Sequence, residues 1–369
     1  MKIGLNVIYC TPGNVGGTQT YAEHLMAGMA EIDADNQYVV YTNREGAKLD
    51  IPKAANFETA ICPIDAKNLP RRYFFEQFVL PSRLKRDEID VCFSLGYVCP
   101  LSLPCANVVN IHDLNFIALK EAMSAWKRLI FGWFVTQSAI RSDHVITVSE
   151  FSQSGLREKI GIEASKTTVT LLGPRTHVAT SISKDELTQA YGLRAPYLIV
   201  FSSQSERKNI PRLLEAFASI RNEFPHDLVL VGHVPENGKL DRCIKDLRLA
   251  DRVIVTGYVP DEHVMPLIAH ADLFVFPSYY EGFGLPALDA QQAGTAVAAA
   301  NAASLPEVAG DGAVYFDPFS TEDMTTVLRR CLSEPELRES LVAKGRNNLA
   351  RFSWKTTALQ TLEVMKRFG

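Results

Sequence analysis

Residues 271–290 read ADLFVFPSYYEGFGLPALDA. The apolar run from Leu273 to Phe276 stops at Pro277, and two tyrosines, Glu281, Gly282, Phe283 and Gly284 follow. Leu285 and Pro286 then open a helical pattern that carries a second carboxylate, Asp289. A short, continuously apolar run reads as a strand buried on both faces, and proline suits the first turn of a helix. Strand, glycine elbow and helix in that order are the repeating unit of a parallel sheet covered by helices.

That unit recurs on both sides of the stretch. In the first half, KIGLNVIY, QYVVYTN, IDVCFSL, NVVNIHD and HVITVS are short apolar, β-branched runs. Tyr21, Leu25 and Met29 stand at i, i+4 spacing and predict an amphipathic helix. The pattern restarts with YLIVFSS, DLVLVGH, RVIVTGYV, DLFVFPS, GTAVAAA and AVYFDP. The expected fold class is therefore α/β, as two Rossmann-like doubly wound domains. Gly, Pro, Thr and Ser crowd LLGPRTHVATSIS, residues 171–183, which marks the boundary. The tail FSWKTTALQTLEVMKRFG reads as one more helix.

Composition bounds the function. A chain of 369 residues suits two domains, and 47% hydrophobic with 22% charged residues suits a soluble globular protein. A net charge of −4 argues against a dedicated nucleic-acid binder. Seven scattered cysteines, with no C-x-x-C pair and no zinc spacing, read as reduced thiols in a cytosolic protein. MKIGLNVIYCTPG reads as a first strand, not a signal peptide. No run reaches the ~18 apolar residues of a spanning helix.

Ligands of open α/β sheets bind beyond the carboxyl ends of the strands. Four places there carry polar chemistry. Gly13, Gly16 and Gly17 follow the first strand and precede a helix, where backbone can approach a phosphate or simply turn. His112 and Asp113 end another strand, as a hydroxyl or proton-transfer contact or as a structural pair. Arg207 and Lys208 follow the first strand of the second half, and a guanidinium fork beside a point charge suits a diphosphate. In the opening stretch, Gly282 and Gly284 leave backbone amides free to face a cleft. Asp289, expected in the first helical turn, either complements the helix dipole or accepts hydrogen bonds from a ribose diol.

In order along the chain, GGTQTYAEHL, NIHDLNF, ITVSEFSQSGL, SERKNIPRLLEAF, TGYVPDE, ADLFVFPSYYEGFGLPALDA and NAASLPEVAGDGAVYFDP resemble the retaining glycosyltransferases of family 4, which have the GT-B fold of two Rossmann-like domains facing a cleft. The resemblance implies an N-terminal acceptor-side domain of residues 1–172 plus 352–369, the last helix returning to it. A nucleotide-sugar domain of residues 173–351 would complete the fold. It further implies that Lys208 and Arg207 contact the diphosphate, that Glu281 faces the donor sugar beside the amides of Phe283, Gly284 and Leu285, and that Asp289 holds the ribose. Tyr258 and Val259 would lie near the base, Gly16 and Gly17 near the phosphates, and His112 against the transferred sugar. Two positions depart from the family. Asp289 stands where a glutamate is usual, shorter by about 1.5 Å. Ser202 stands where many members carry an arginine, and Arg207 is expected to take over part of that charge.

The implied activity is metal-independent, retaining transfer of a hexose, mannose by the RKN and IHDLNF forms, to a glycan or lipid-linked glycan in polysaccharide or lipopolysaccharide biosynthesis. GDP-mannose is the first donor and a UDP-sugar the second, with no cofactor and no metal: the Asp-Ala-Asp at 33–35 reads as a solvated turn. A GT-B sugar-nucleotide epimerase and a nucleotide-sugar-binding protein without transfer are the alternatives. KNLPRRYFFEQFVLPSRLKR and SAWKRLIFGWFV mix aromatic with basic residues, as an acceptor-side surface resting on a membrane would, or as ordinary amphipathic helices do. The expected location is cytoplasmic, with peripheral contact at the inner face of the membrane.

Overall fold

The apolar runs pair in parallel into two sheets, one in each of two units. The computed structural model describes residues 1–11, 17–118, 124–175, 182–194 and 196–369. The first unit is Met1–Gly173 with Phe352–Gly369, and the second is Pro174–Arg351.

In the first unit the strands are β1 (Lys2–Asn6), β2 (Gln37–Thr42), β3 (Phe57–Ile61), β4 (Val91–Ser94), β5 (Ala106–Asn110), β6 (His144–Thr147) and β7 (Thr167–Val169). Their order is β3-β2-β1-β4-β5-β6-β7. Leu5 of β1 therefore sits between Val40 of β2 and Phe93 of β4, and all three are buried. In the second unit the strands are β8 (Tyr197–Phe201), β9 (Asp227–Val231), β10 (Val253–Gly257), β11 (Leu273–Phe276), β12 (Val297–Ala300) and β13 (Ala313–Phe316). They run β10-β9-β8-β11-β12-β13. Ile199 of β8 sits between Val229 and Phe274 in the same way. Both sheets reverse strand order beside their first strand, the doubly wound arrangement.

Two strands lacked a sequence signal, β3 and β7. They are the two edges of the first sheet. β3 mixes intermediate and exposed residues and has no continuous apolar run to read. The central strands, buried on both faces, are legible, and so are the second sheet's edges β10 and β13, whose runs are apolar.

The helix Gly17–Ile32 buries Tyr21, Leu25 and Met29, the predicted stripe. Helix Trp354–Lys366 packs on it. A Cβ at Gly28 would lie 2.9 Å from the Trp354 carbonyl oxygen, so only glycine admits this approach. Thr357 donates to the Leu171 carbonyl at 2.6 Å, and Lys355 pairs with Glu31 at 3.0 Å. The turn after the first helix is not simply solvated. Asp33 is buried and accepts from Tyr38 at 2.5 Å and from the Asn36 amide at 2.7 Å. Its carboxylate is a structural hub whose partners consume its lone pairs. Among the described residues no helix is long and apolar enough to cross a membrane.

Candidate active site

Beside β8 the second sheet changes direction: β9 lies on one side and β11 on the other. The segments leaving β8 and β11 border the crevice this creates. The one after β8 forms a single 3-10 turn, Glu206–Lys208, and Asn209 then takes a left-handed conformation (φ 56°) to start helix Ile210–Ile220. The one after β11 runs through Pro277 to Gly284, whose φ of 114° opens helix Leu285–Ala293. A Cβ at Gly284 would also come within 2.8 Å of Leu305.

These two turns lock together. Asn209 is buried and donates to the Pro277 carbonyl at 3.2 Å and the Pro318 carbonyl at 2.7 Å. The Tyr279 amide donates to the Arg207 carbonyl at 3.0 Å. On this frame Lys208 Nζ sits 2.9 Å from Glu281 Oε1, and Arg207 Nη1 sits 2.5 Å from Glu281 Oε2. Lys208 also lies 5.2 Å from the centre of the Phe276 ring, a cation–π contact. Arg207 donates a further bond to the Tyr280 carbonyl at 3.2 Å. Burial raises the Glu281 pKa, but Lys208 and Arg207 outweigh it and hold the carboxyl below its ordinary value. Glu281 is therefore ionised at neutral pH, an acceptor with no proton to give. From the other side, the Ser304 hydroxyl reaches the carbonyls of Phe283 at 2.6 Å and Glu281 at 2.9 Å, pinning the elbow.

Asp289 differs from expectation in two ways. The helix begins at Leu285 and has no acid in its first turn, so Asp289 lies in the second turn, past the reach of the dipole's strongest field. It is also fully buried and already held: Arg175 Nε donates to Oδ2 at 3.0 Å and the Arg175 amide to Oδ1 at 3.4 Å. Burial still leaves its pKa raised, with Arg175 pulling it partly back. Arg175 bridges onward to Asp261 at 3.4 Å. Arg175 thus occupies the space beside the Asp289 carboxylate. Sequence gave Arg175 no role, because it stands within the Gly/Pro/Thr/Ser-rich boundary segment.

The remaining expected donor residues divide. Ser202 follows β8, its amide bound to the Val231 carbonyl at 2.8 Å, and its buried hydroxyl has no partner among the described residues. Tyr258 is 84% exposed after β10. The Val259 side chain is buried in the hydrophobic core, so that residue can offer a ligand only its backbone; a branched aliphatic side chain goes where it is dry. Phe283 is likewise buried, and Leu285 is partly so. Asn209, Ser304 and Arg175 are the contributors that sequence reading missed. An asparagine before helix-starting Ile-Pro was the one available signal.

In the first unit, Gly13 and Gly16 lie outside the described residues. Gly17 opens its helix, and a side chain there would meet nothing within 4 Å, so packing does not demand glycine. His112 follows β5 and is buried, with the Asn110 amide 2.9 Å from Nε2 and the Tyr21 ring edge-on at 4.8 Å. Burial pushes its pKa down to about 4, so the ring is neutral at pH 7. Asp113 accepts from the Asn115 amide at 3.1 Å, a turn of its own.

Two family models match the chain. Glycosyltransferase Family 4 covers residues 15–173, and Glycosyl transferases group 1 covers residues 183–348. The chain is 32% identical over 265 residues to O-antigen chain mannosyltransferase B of Escherichia coli, spanning 70% of each. It is 32% identical over 301 residues to the MMP alpha-(1->4)-mannosyltransferase of Mycolicibacterium hassiacum, spanning 77% of this chain and 72% of that one. Among solved structures, sucrose-phosphate synthase from Thermosynechococcus elongatus superposes with a TM-score of 0.79 over 100% of this chain and 98% of that one, at 20% identity, a likeness of fold. Two Rossmann-like units, the ordered motifs and these relatives agree: the chain belongs to the family 4 glycosyltransferases of the GT-B fold and is mannosyltransferase-like among them.

Proposed function

We propose that this glycosyltransferase takes mannose from GDP-mannose, with retention of configuration, and passes it to a glycan or lipid-linked glycan at the cytoplasmic face of the membrane, in surface polysaccharide or lipopolysaccharide assembly. The observation that carries the reading is the Lys208–Arg207–Glu281 cluster at the carboxyl ends of β8 and β11. The mannosyltransferases among its relatives support the sugar.

Sugar transfer leaves negative charge on the departing diphosphate and positive charge on the ring. Lys208 and Arg207 would meet the first, helped by the amides of Gly282 to Leu285 at the elbow. Ionised Glu281 would accept hydroxyl hydrogen bonds from the sugar and favour the ring cation. It cannot be a general acid. The leaving phosphate would receive the acceptor's proton on the face it departs from, which retains configuration. The ribose would compete with Arg175 for Asp289, while Ser202, Tyr258 and the Val259 backbone would border the rest of the nucleotide. In the first unit, neutral His112 would offer its ring to a sugar hydroxyl. Two fixed cations beside the diphosphate can do the neutralising that a divalent ion does elsewhere, so turnover should persist in EDTA.

Radiolabelled GDP-mannose and a panel of UDP-sugars, each with and without EDTA and with membrane extract as acceptor, test this. Label transferred from GDP-mannose in EDTA is the expected result. Turnover of UDP-sugars alone would move the donor to the second reading, and acceptor-independent release of an epimerised sugar would make the protein an epimerase. No binding of any nucleotide sugar by calorimetry would sink the proposal.

A further inference from the structure

Among the described residues, six other than glycine take a positive φ: Glu88, Tyr97, Asn209, Asn237, Arg248 and Ala303. Asparagine tolerates that conformation, and alanine brings little bulk to it. Glu88 and Arg248 each stand two residues past a helix end, where a left-handed residue commonly closes a helix. Tyr97, with a φ of 65°, fits none of these cases. A bulky side chain in this conformation costs energy that glycine would not, and such strain gathers at functional sites.

The ring stands where the first sheet reverses its order. β4 lies next to β1 at that reversal, and ligands of such sheets gather beyond the carboxyl ends of the strands there. Tyr97 comes three residues after β4. Its neighbour Gly96 lies against the Tyr9 ring, which a Cβ would strike, and the Leu95 amide is tied to the Asn6 carbonyl of β1 at 3.1 Å. The Tyr97 amide donates to the Asn110 carbonyl of β5 at 2.9 Å. So held, its ring lies 5.4 Å from the His112 ring and 5.8 Å from that of Phe131. The Leu95 carbonyl and the Asn110 amide fix the His112 ring in turn, the amide 2.9 Å from Nε2. Asn110 Oδ1 is buried with no partner among the described residues, so hydrogen-bonding capacity is left over at the same strand end. His112, Asn110 and Tyr21 are buried, whereas Tyr97, the one residue of 91–100 that is not, carries this cluster outward.

Lys208 and Arg207 gather the charge for a diphosphate in the second unit, which leaves uncharged recognition to this cluster. A hexose presents a patch of C–H bonds, which an aromatic face matches, and around it hydroxyls, which a carboxamide and an imidazole match. We propose that Tyr97 receives the C–H face of an acceptor hexose beside His112 and so helps set which glycan is extended. This assignment rests on the glycan-acceptor reading above. Tyr97→Gly and Tyr97→Asn remove the ring with residues that suit a left-handed φ, and Tyr97→Phe keeps it. The full chain and each variant are given the nucleotide sugar that the unmodified chain turns over, with a dilution series of membrane extract as acceptor. Tyr97→Gly and Tyr97→Asn should need about tenfold more extract for half-maximal transfer, and Tyr97→Phe no more than the unmodified chain. The Tm of Tyr97→Gly should stay level or rise, and calorimetric affinity for the nucleotide sugar should hold in all three. Unchanged half-saturation in both variants without the ring would overturn the assignment. So would a lost preference for the nucleotide sugar over the bare nucleotide, which would put the ring on the transferred sugar. Unfolding of both would make the ring a core group and overturn it too. Transfer by the unmodified chain is measured beside these, so a failure here is distinct from a failure of the transfer reading.

Discussion

Glu281 in the second unit and Glu76 in the first are both carboxylates removed from water near the carboxyl ends of a parallel sheet, and they have opposite acidities. Burial raises the pKa of each. At Glu76 a single arginine, Arg72, lies 3.4 Å away, and the carboxyl stays above its ordinary value even with Asn6 as a partner. At Glu281 two cations approach to 2.9 and 2.5 Å, and the carboxyl falls below it. Burial alone therefore does not decide whether such a group is charged. The number and closeness of the cations do. The same scaffold thus carries a charge-dense turn in one unit and, in the other, a neutral His112 edged by Tyr21 and Tyr97.

The contrast can be broken at the dense end first. Lys208→Ala removes the point charge beside the proposed diphosphate. It should lower kcat about 10²- to 10³-fold with the fold intact, as removal of one transition-state donor does elsewhere. Donor consumption is the measurement, and unchanged turnover would move the diphosphate elsewhere. Arg72→Ala in the first unit strands a buried carboxylate with no cation. It should cost about 3 kcal/mol of stability, read as a lower Tm, while calorimetric nucleotide affinity stays as it was. Arg175→Ala exposes the same weakness at Asp289. It should lower Tm by several degrees, a loss of about 1–3 kcal/mol. Saturating GDP should recover most of it, because ribose hydroxyls replace the lost donors. A loss that GDP leaves untouched would mean that the ribose does not reach Asp289.

A further effect concerns pH. The unfolded His112 protonates near 6.5 and the folded one near 4. On acidification the unfolded chain takes the proton first. The stability contributed by the neutral ring is full above 6.5 and is lost as pH falls towards 4. His112→Gln should flatten the Tm profile across that window. Glu281 acts in the same direction at lower pH, its contribution lost as pH falls through its depressed value.

Legibility followed burial and locality. The inner strands of both sheets announced themselves because a strand covered on both faces must be apolar throughout, and the edges β10 and β13 did so because their runs RVIVTGYV and AVYFDP are apolar even though partly exposed. The edge strands β3 and β7 of the first sheet did not, since FETAI and TTV are short, partly polar and largely uncovered. Lys208, Arg207 and Glu281 were named from motif and position. Their mutual ion pairing was not, because the two turns lie 73 residues apart in the chain. Val259 was read from its place after a strand, and its side chain went to the core instead. Asn209, Ser304 and Arg175 do their work by reaching carbonyls and carboxylates that no local pattern reveals.

Local chemistry in the sequence was enough to specify an α/β chain of two doubly wound halves, the family, and the turns where charge gathers. Periodicity and turn residues act between near neighbours, and order along the chain records them. Only the tertiary structure decided the charge state of Glu281, the occupation of Asp289 by Arg175, the neutrality of His112, and the exposure of Trp126 and Trp133. Each depends on which distant groups share a small volume with little water, where the number and closeness of the cations around a carboxylate decide its charge.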